Sequence, residues 1–250
     1  FMKRTHRKML IIDERLGFIG GVNVQKGMKD WLDIHIAVKG TVIRSLLRTF
    51  ARSYILCGGK RNNVRRFLRP IPVTYGADNR FHSGYASARR RYIEALRGAR
   101  ERVILFSPYY FPDKDLLRAL WEARKRGIKI DLLIPFRTDI KIATYAAYTW
   151  FSLMHRYGVR VHLLKKMMHG KGVIVDDDWA MVGSSNLDTT SFYHAREANM
   201  YMKDKRVVKK LQRIAHRWMK HANKLDGVVW EGRGWWHRLK ENVALRLYRY

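Results

Sequence analysis

Residues 5–24 and 168–187 carry the same polar residues at the same spacing, and no other feature constrains this 250-residue chain as tightly. Aligned without gaps, the two copies share His6/His169, Lys8/Lys171, Asp13/Asp176, Gly20/Gly183 and Asn23/Asn186. Core packing explains a repeated apolar run. It does not explain a repeated His-x-Lys with an Asn at fixed distance, because burying such groups costs free energy unless they have a task.

Both copies have the grammar of strands. His-x-Lys opens a β-branched, apolar run (Leu10-Ile11-Ile12; Val173-Ile174-Val175), and alternate strand residues face one side. His6 and Lys8 therefore project together, as do His169 and Lys171. Acidic or Gly-containing turns follow, then a second short strand ending in Gly-x-x-Asn, so a hairpin returns the Asn beside the His and Lys. A third element repeats too: Asp33 opens Asp-Ile-His-Ile-Ala-Val, and Glu197 opens Glu-Ala-Asn-Met-Tyr-Met. Histidine serves as nucleophile or proton donor near neutral pH, with an unperturbed pKa of about 6.5. Lysine and asparagine hold non-bridging phosphate oxygens, and a carboxylate on an imidazole fixes its tautomer. Two such sets facing each other supply an attacking His, a leaving-group acid and two Lys–Asn clamps, which is double-displacement phosphoryl transfer without a metal.

At these residues the chain resembles the phospholipase D superfamily, whose signature H-x-K-x4-D-x6-G-[SG]-x-N both copies match, with Gly21 and Ser184 at the variable position. The resemblance implies an α/β fold of mixed sheets flanked by helices, in two pseudo-twofold related lobes. It implies that one histidine attacks to form a phosphohistidine while the other protonates the departing alcohol; by analogy with superfamily members in which the first-motif histidine attacks, we expect His6 as nucleophile and His169 as acid, the reverse order remaining open. Lys8, Asn23, Lys171, Ser184 and Asn186 would bind the phosphate, Asp33 and Glu197 would orient the histidines, and Asp13 and Asp176 would be structural. Within the superfamily, Phe106-Ser-Pro-Tyr-Tyr-Phe-Pro-Asp113, Val182-Gly-Ser-Ser-Asn-Leu-Asp188, Glu197-Ala-Asn199 and Trp31-Leu-Asp-Ile-His resemble segments of bacterial cardiolipin synthases. That implies phosphatidylglycerol as substrate, a bacterial cytoplasmic membrane location, no cofactor or metal, and no obligatory protein partner.

The second copy follows a full α/β alternation. Strands are expected at 71–76, 102–107, 128–134 and 159–164, with helices over 84–99, from Asp113 to Gly127, and over 139–157. Such alternation means a largely parallel sheet covered by helices. The first copy has no such run ahead of it, so we expect an incomplete first lobe (1–57), with a membrane-anchoring segment among the residues that precede it. A basic linker (58–72), a second lobe (73–225) and a Trp-rich basic amphipathic tail (226–250) follow. The tail suits the membrane interface or docking on the protein's own surface.

The 51 Lys+Arg against 21 Asp+Glu give a formal charge of +30, which attracts an anionic leaflet or nucleic acid, the latter only non-specifically. No stretch reaches the roughly 20 apolar residues of a membrane span. Residues 142–154 read as a core or site-lining helix. Cys57 reads as a buried small hydrophobe, Asp176-Asp177-Asp178 as an acidic turn, and His82 as a residue that could line the site. Three functions remain open: phosphatidyl transfer to an alcohol, phosphodiester cleavage in nucleic acid, and anion binding without catalysis.

Overall fold

The computed structural model describes residues 4–70, 79–84 and 87–248. Its first half contains β1 (Arg4–Thr5), β2 (Met9–Ile12), β3 (Leu16–Gly20), β4 (His35–Lys39), α1 (Val42–Leu56) and the short α2 (Arg61–Val64). Its second half runs through β5 (Asn79–Gly84), α3 (Ser87–Gly98), β6 (Arg102–Phe106), α4 (Lys114–Lys125), β7 (Lys129–Pro135), α5 (Lys141–Tyr148), α6 (Phe151–Arg156) and β8 (Arg160–Leu164). Then come β9 (Gly172–Val175), β10 (Trp179–Gly183), β11 (Ala195–Met202), α7 (Lys205–Lys220), β12 (Ala222–Lys224), α8 (Gly227–Glu231) and α9 (Trp235–Tyr248).

The repeat in the sequence is a repeat in the fold. β2-β3-β4 form a three-stranded antiparallel sheet, and β9-β10-β11 form the same unit inside a nine-stranded mixed sheet. The registers coincide: Met9 pairs with Ile19 as Gly172 pairs with Val182, and Gly20 pairs with His35 as Gly183 pairs with Asn199. A helix follows each unit, α1 in one and α7 in the other. In the larger sheet β6, β7 and β8 are parallel, and β6 joins β9 antiparallel. Among the described residues β2 has no such neighbour, so of the first lobe they comprise the motif-bearing part.

Alternation along the central strands sorts the core into two layers. Val103, Leu105, Val173 and Val175 point toward α3, α4 and α6, while Ile104, Phe106, Ile174 and Val182 point toward α7. Both faces are covered, which is why these strands read as continuous apolar runs. The α7 layer also takes in Ile19, Ile34, Ile43 and Leu46, so the two lobes share one core.

Most expected elements stand where periodicity put them. Asp113 caps α4 by accepting the Leu116 N–H, and Gly127 (φ +83°) and Gly158 (φ +73°) end α4 and α6 in the left-handed region. The helix expected over 139–157 is divided into α5 and α6. There the Thr149 hydroxyl donates to the Ala146 carbonyl at 2.7 Å and the Trp150 N–H reaches back to Ala147, tightening the turn. The stretch expected as a linker carries α2 and a further helical turn at Arg65–Leu68. Cys57 is exposed, not buried, because it follows the last turn of α1 on the solvent side. The strand expected at 71–76 and the side chains of Tyr85 and His82 lie outside the described residues.

Candidate active site

His6 and Lys8 flank the step from β1 to β2, and His169 and Lys171 the approach to β9. Two-residue alternation brings each lysine back over its histidine: Lys8 Nζ donates to the His6 carbonyl at 2.9 Å, and Lys171 Nζ to that of His169. The two lobes then pair reciprocally. Thr5 pairs with Arg196 and His6 N–H donates to the Arg196 carbonyl (3.0 Å); Met168 pairs with Leu32 and His169 N–H donates to the Leu32 carbonyl (2.7 Å). These are the same contact, related by the pseudo-twofold axis.

The crossing decides which carboxylate serves which histidine. His6 Nδ1 lies 3.0 and 3.2 Å from the two oxygens of Glu197, and His169 Nδ1 lies 3.0 Å from Asp33. Each ring is therefore oriented by the opposite lobe. With Nδ1 engaged, Nε2 of each imidazole is the nitrogen left for chemistry.

Burial differs across the cluster and shifts proton affinities within it. Lys171 is fully buried and the His169 side chain is only 5 % exposed, whereas that of His6 is 34 % exposed. Desolvation lowers the His169 pKa, an effect opposed by its hydrogen bond to Asp33 and reinforced by Lys171 and Lys8. Desolvation also brings Lys8 down to about 8, against the pull of Glu197 and Asp33, and takes Lys171 well below its usual value. Lys8 and Lys171 each feel both orienting carboxylates, so the two motifs form one electrostatic cluster.

The motif glycines mark backbone contacts between strands. A Cβ on Gly20 would lie 2.1 Å from the Ile34 carbonyl oxygen, and one on Gly183 would lie 2.3 Å from that of Ala198. Gly21 sits against Asp33 itself, where a Cβ would come within 2.2 Å of its carboxylate. Its counterpart Ser184 donates its hydroxyl to Glu197 and accepts the Ala198 N–H at 3.0 Å. Ser184 thus positions the carboxylate that holds His6.

The asparagines are not equivalent. Asn186 is buried and its carboxamide oxygen has no hydrogen-bond partner among the described residues, which leaves an acceptor free for a donor. Asn23 is half-buried and donates to the Met28 thioether at 3.5 Å. The motif aspartates lie away from the histidines, in the hairpin turns. Asp176 accepts the N–H groups of Arg100, Glu101 and Arg102 at 3.1, 2.9 and 2.8 Å. Asp177 and Asp178 accept from Gln212 and Arg100, so the acidic triplet is occupied by protein donors. Asp13 is exposed, since the segment corresponding to 100–102 has no described equivalent in the first lobe.

A protein-family model described as "Cardiolipin synthase, PLD-like domain" matches residues 92–219, half of the chain. The chain belongs to this phospholipase D-like family. A cardiolipin synthase of Geobacillus kaustophilus is 29 % identical over 256 residues, covering 96 % of this chain and 51 % of that protein. Cardiolipin synthase 2 of Bacillus anthracis is 30 % identical over 227 residues, covering 83 % of this chain and 43 % of its own length. The chain thus spans about half the length of the curated relatives it matches. Among solved structures, phosphatidylserine synthase of Haemophilus influenzae superposes with a TM-score of 0.72 at 13 % identity, covering 98 % of this chain and 68 % of that one. The phospholipase D family member Nuc of Salmonella typhimurium gives 0.50 at 21 % identity, covering 59 % and 98 %. Both likenesses concern the fold.

Within this phospholipase D-like site, residues beyond the repeat complete the second motif. Asp188 is buried, its carboxyl raised by desolvation, and it accepts the Ser191 N–H at 2.6 Å; Ser191 Oγ in turn accepts the Asn186 N–H at 3.1 Å. The first copy has Gln25 at the place of Asp188, so the repeat carries no signal for this support. Trp31 packs its ring 5.5 Å from that of His169. It was visible in the sequence only through the Trp-x-Asp-x-His resemblance.

Proposed function

We propose that the protein is a phosphatidyltransferase that joins two phosphatidylglycerols into cardiolipin and releases glycerol through a phosphohistidine intermediate. The reciprocal hold of each histidine by the other lobe's carboxylate carries this reading, because it leaves Nε2 of both rings for chemistry while Lys8 and Lys171 each feel both carboxylates. His6 Nε2 attacks the phosphorus of the first phosphatidylglycerol, the P–O bond to glycerol breaks, and His169 gives its proton to the departing oxygen. The hydroxyl of a second phosphatidylglycerol then attacks the phosphohistidine and returns a proton to His169, leaving cardiolipin and free His6. Lys8, Lys171, Asn23 and Asn186 hold the non-bridging oxygens. Entry of the anionic phosphodiester offsets the desolvation that depresses His169, so substrate binding itself charges the acid. The same burial favours a second assignment, His169 as nucleophile and His6 as acid, because a neutral ring is the one that attacks.

A groove of about 400 Å³ beside the first motif supports a lipid substrate. It joins Lys8 and Asn23 to apolar walls from Met9, Leu10, Val22 and Val24. No helix of the described residues is long and apolar enough to cross a membrane. We assign contact with the anionic membrane surface to α9, where Trp235, Trp236, Leu239, Val243 and Leu247 are each 45 % or more exposed among basic residues. The opposite side of α9 is docked, with Ala244 buried against Phe111 and Ala146, so both expectations for the tail have a place on one helix.

Incubation of the full-length protein with vesicles of labelled phosphatidylglycerol tests the reaction. We expect cardiolipin and glycerol in equal amounts, and a trapped acid-labile phosphoryl adduct on His6. An adduct on His169 would exchange the two roles. The +30 charge favours one competing reading, cleavage of nucleic acid. His169-dependent cutting of DNA or RNA, with phosphatidylglycerol left unchanged, would replace the lipid assignment by that one.

A further inference from the structure

A cavity of about 590 Å³ has Arg7, Arg48, Arg52, Arg61 and Arg196 among its lining residues and no Asp or Glu among them. Its lining comes from α1, from α2 and the helical turn after it, from the step between β1 and β2, and from β5 and β11. Arg48 and Arg52 stand four residues apart on α1 and so present their charges side by side. Like charges so placed repel, and among the described residues Arg48, Arg52 and Arg61 have no carboxylate partner to relieve them. Arg48 Nε and Ser83 Oγ, both on lining residues, are buried and unpartnered. Buried donors without acceptors, inside a concentration of guanidinium groups, describe a cradle for an anion. Ile55, Leu56 and Leu68 supply the apolar part of the lining.

Alternation sets this cradle apart from the catalytic pair, with Arg7 alone lining both the cradle and the groove beside Lys8. Arg7 follows His6 and Arg196 precedes Glu197, and successive residues of an extended chain face opposite sides. His6 and Glu197 meet on one side of these strands, and Arg7 and Arg196 line the cavity on the other. Arg7 also ties the two together, donating to the Glu197 carbonyl at 3.4 Å and to Ser53 Oγ on α1 at 2.7 Å.

We infer that this cavity is a second phosphate-binding site, distinct from the catalytic one, which takes a phosphate group carried by an anionic lipid headgroup or free in solution. Guanidinium forks recognise phosphate by paired N–H···O bonds, and the apolar part of the lining suits the carbons next to a lipid phosphate. An occupant would draw Arg7 and α1 together directly behind the His6–Glu197 pair.

The test is calorimetric titration of the full-length protein with inorganic phosphate, in salt high enough to suppress diffuse binding. We expect two classes of site. Lys171→Met should abolish the catalytic one alone, and Arg48→Gln with Arg52→Gln should weaken the other by about tenfold or more. Lys209→Gln with Lys210→Gln, on the exposed face of α7, removes equal charge and should change neither class. Arg52→Gln with Arg61→Gln, both at exposed positions, repeats the test without touching a buried side chain. The second arm measures binding to phosphatidylglycerol and phosphatidylcholine vesicles. Weaker binding of the arginine variants to the former only identifies a lipid headgroup as the source. Unchanged vesicle binding with weakened phosphate binding identifies the free ion. A single phosphate site that Lys171→Met abolishes would overturn the inference. So would arginine variants that lose no more affinity than the lysine control.

Discussion

Glu197 is 1 % exposed and receives both the His6 imidazole and the Ser184 hydroxyl, while Asp33 receives His169 from across the molecular pseudo-twofold. A carboxylate in this position fixes the tautomer of the ring and stabilises the imidazolium. Glu197→Gln should therefore lower kcat by roughly 10²- to 10⁴-fold with the fold retained. Combined with His6→Ala it should cost little beyond His6→Ala alone, because the two residues act as a unit. The same carboxylate change should remain costly in any background that leaves His6 working. Coupling of Glu197 to His169 in place of His6 would contradict the crossed pairing. A second prediction concerns pH. Burial lowers the His169 pKa below its usual 6.5 and Asp33 opposes the shift. With His169 as the acid, kcat/KM should fall as pH rises through that lowered value, and Asp33→Asn should move this falling limb to still lower pH. A pH–rate profile in which Asp33→Asn moves the rising limb would assign His169 the nucleophile's role.

The two β-hairpins show how one motif acquires two structural weights. Asp13 and Asp176 both sit at positive φ, +50° and +49°, in turns of the same register. Asp176 receives three backbone N–H groups from the entry to β6, and these hold its pKa down against the desolvation that would raise it. Asp13 faces solvent. Asp176→Asn should cost about 1–3 kcal/mol in denaturant unfolding, whereas Asp13→Asn should stay within about 0.5 kcal/mol, since asparagine tolerates the left-handed conformation. The sign of the pH effect follows from the lowered pKa. The contribution of Asp176 is fully present above the unfolded value near 3.8 and is lost as pH falls through the folded one. The asparagine variant should therefore lose less stability than the parent across that acid range.

At the scale of the whole molecule, the formal +30 charge and the exposed stripe on α9 act through different forces. At an anionic leaflet, charge would contribute roughly 1 kcal/mol per nearby Lys or Arg and be screened by salt, whereas apolar insertion would not be screened. Cosedimentation should show preference for phosphatidylglycerol over phosphatidylcholine vesicles, with a residual bound fraction at high salt. Trp235→Ala with Trp236→Ala should remove that residue and leave the low-salt binding largely intact. If the double change alters only the low-salt part, α9 is not the inserting element.

The sequence by itself determined the duplicated hairpin, the identity of its His, Lys and Asn residues, and most of the α/β run from residue 102 to 164. Each of these is encoded locally, in two- and 3.6-residue periods, in caps such as Asp113 and in stops such as Gly127 and Gly158. The tertiary structure alone decided what those residues meet. Nothing in either copy reveals that Glu197 serves His6 and Asp33 serves His169, because the two partners of each pair lie 191 and 136 residues apart and their pairing follows from how the lobes dock. The same holds for the division of labour between Asp13 and Asp176, for the hydrogen bond of Ser184 to Glu197, and for the gathering of arginines around one cavity. Such contacts have no period along the chain; they exist only once burial of a shared core has fixed the two lobes against each other.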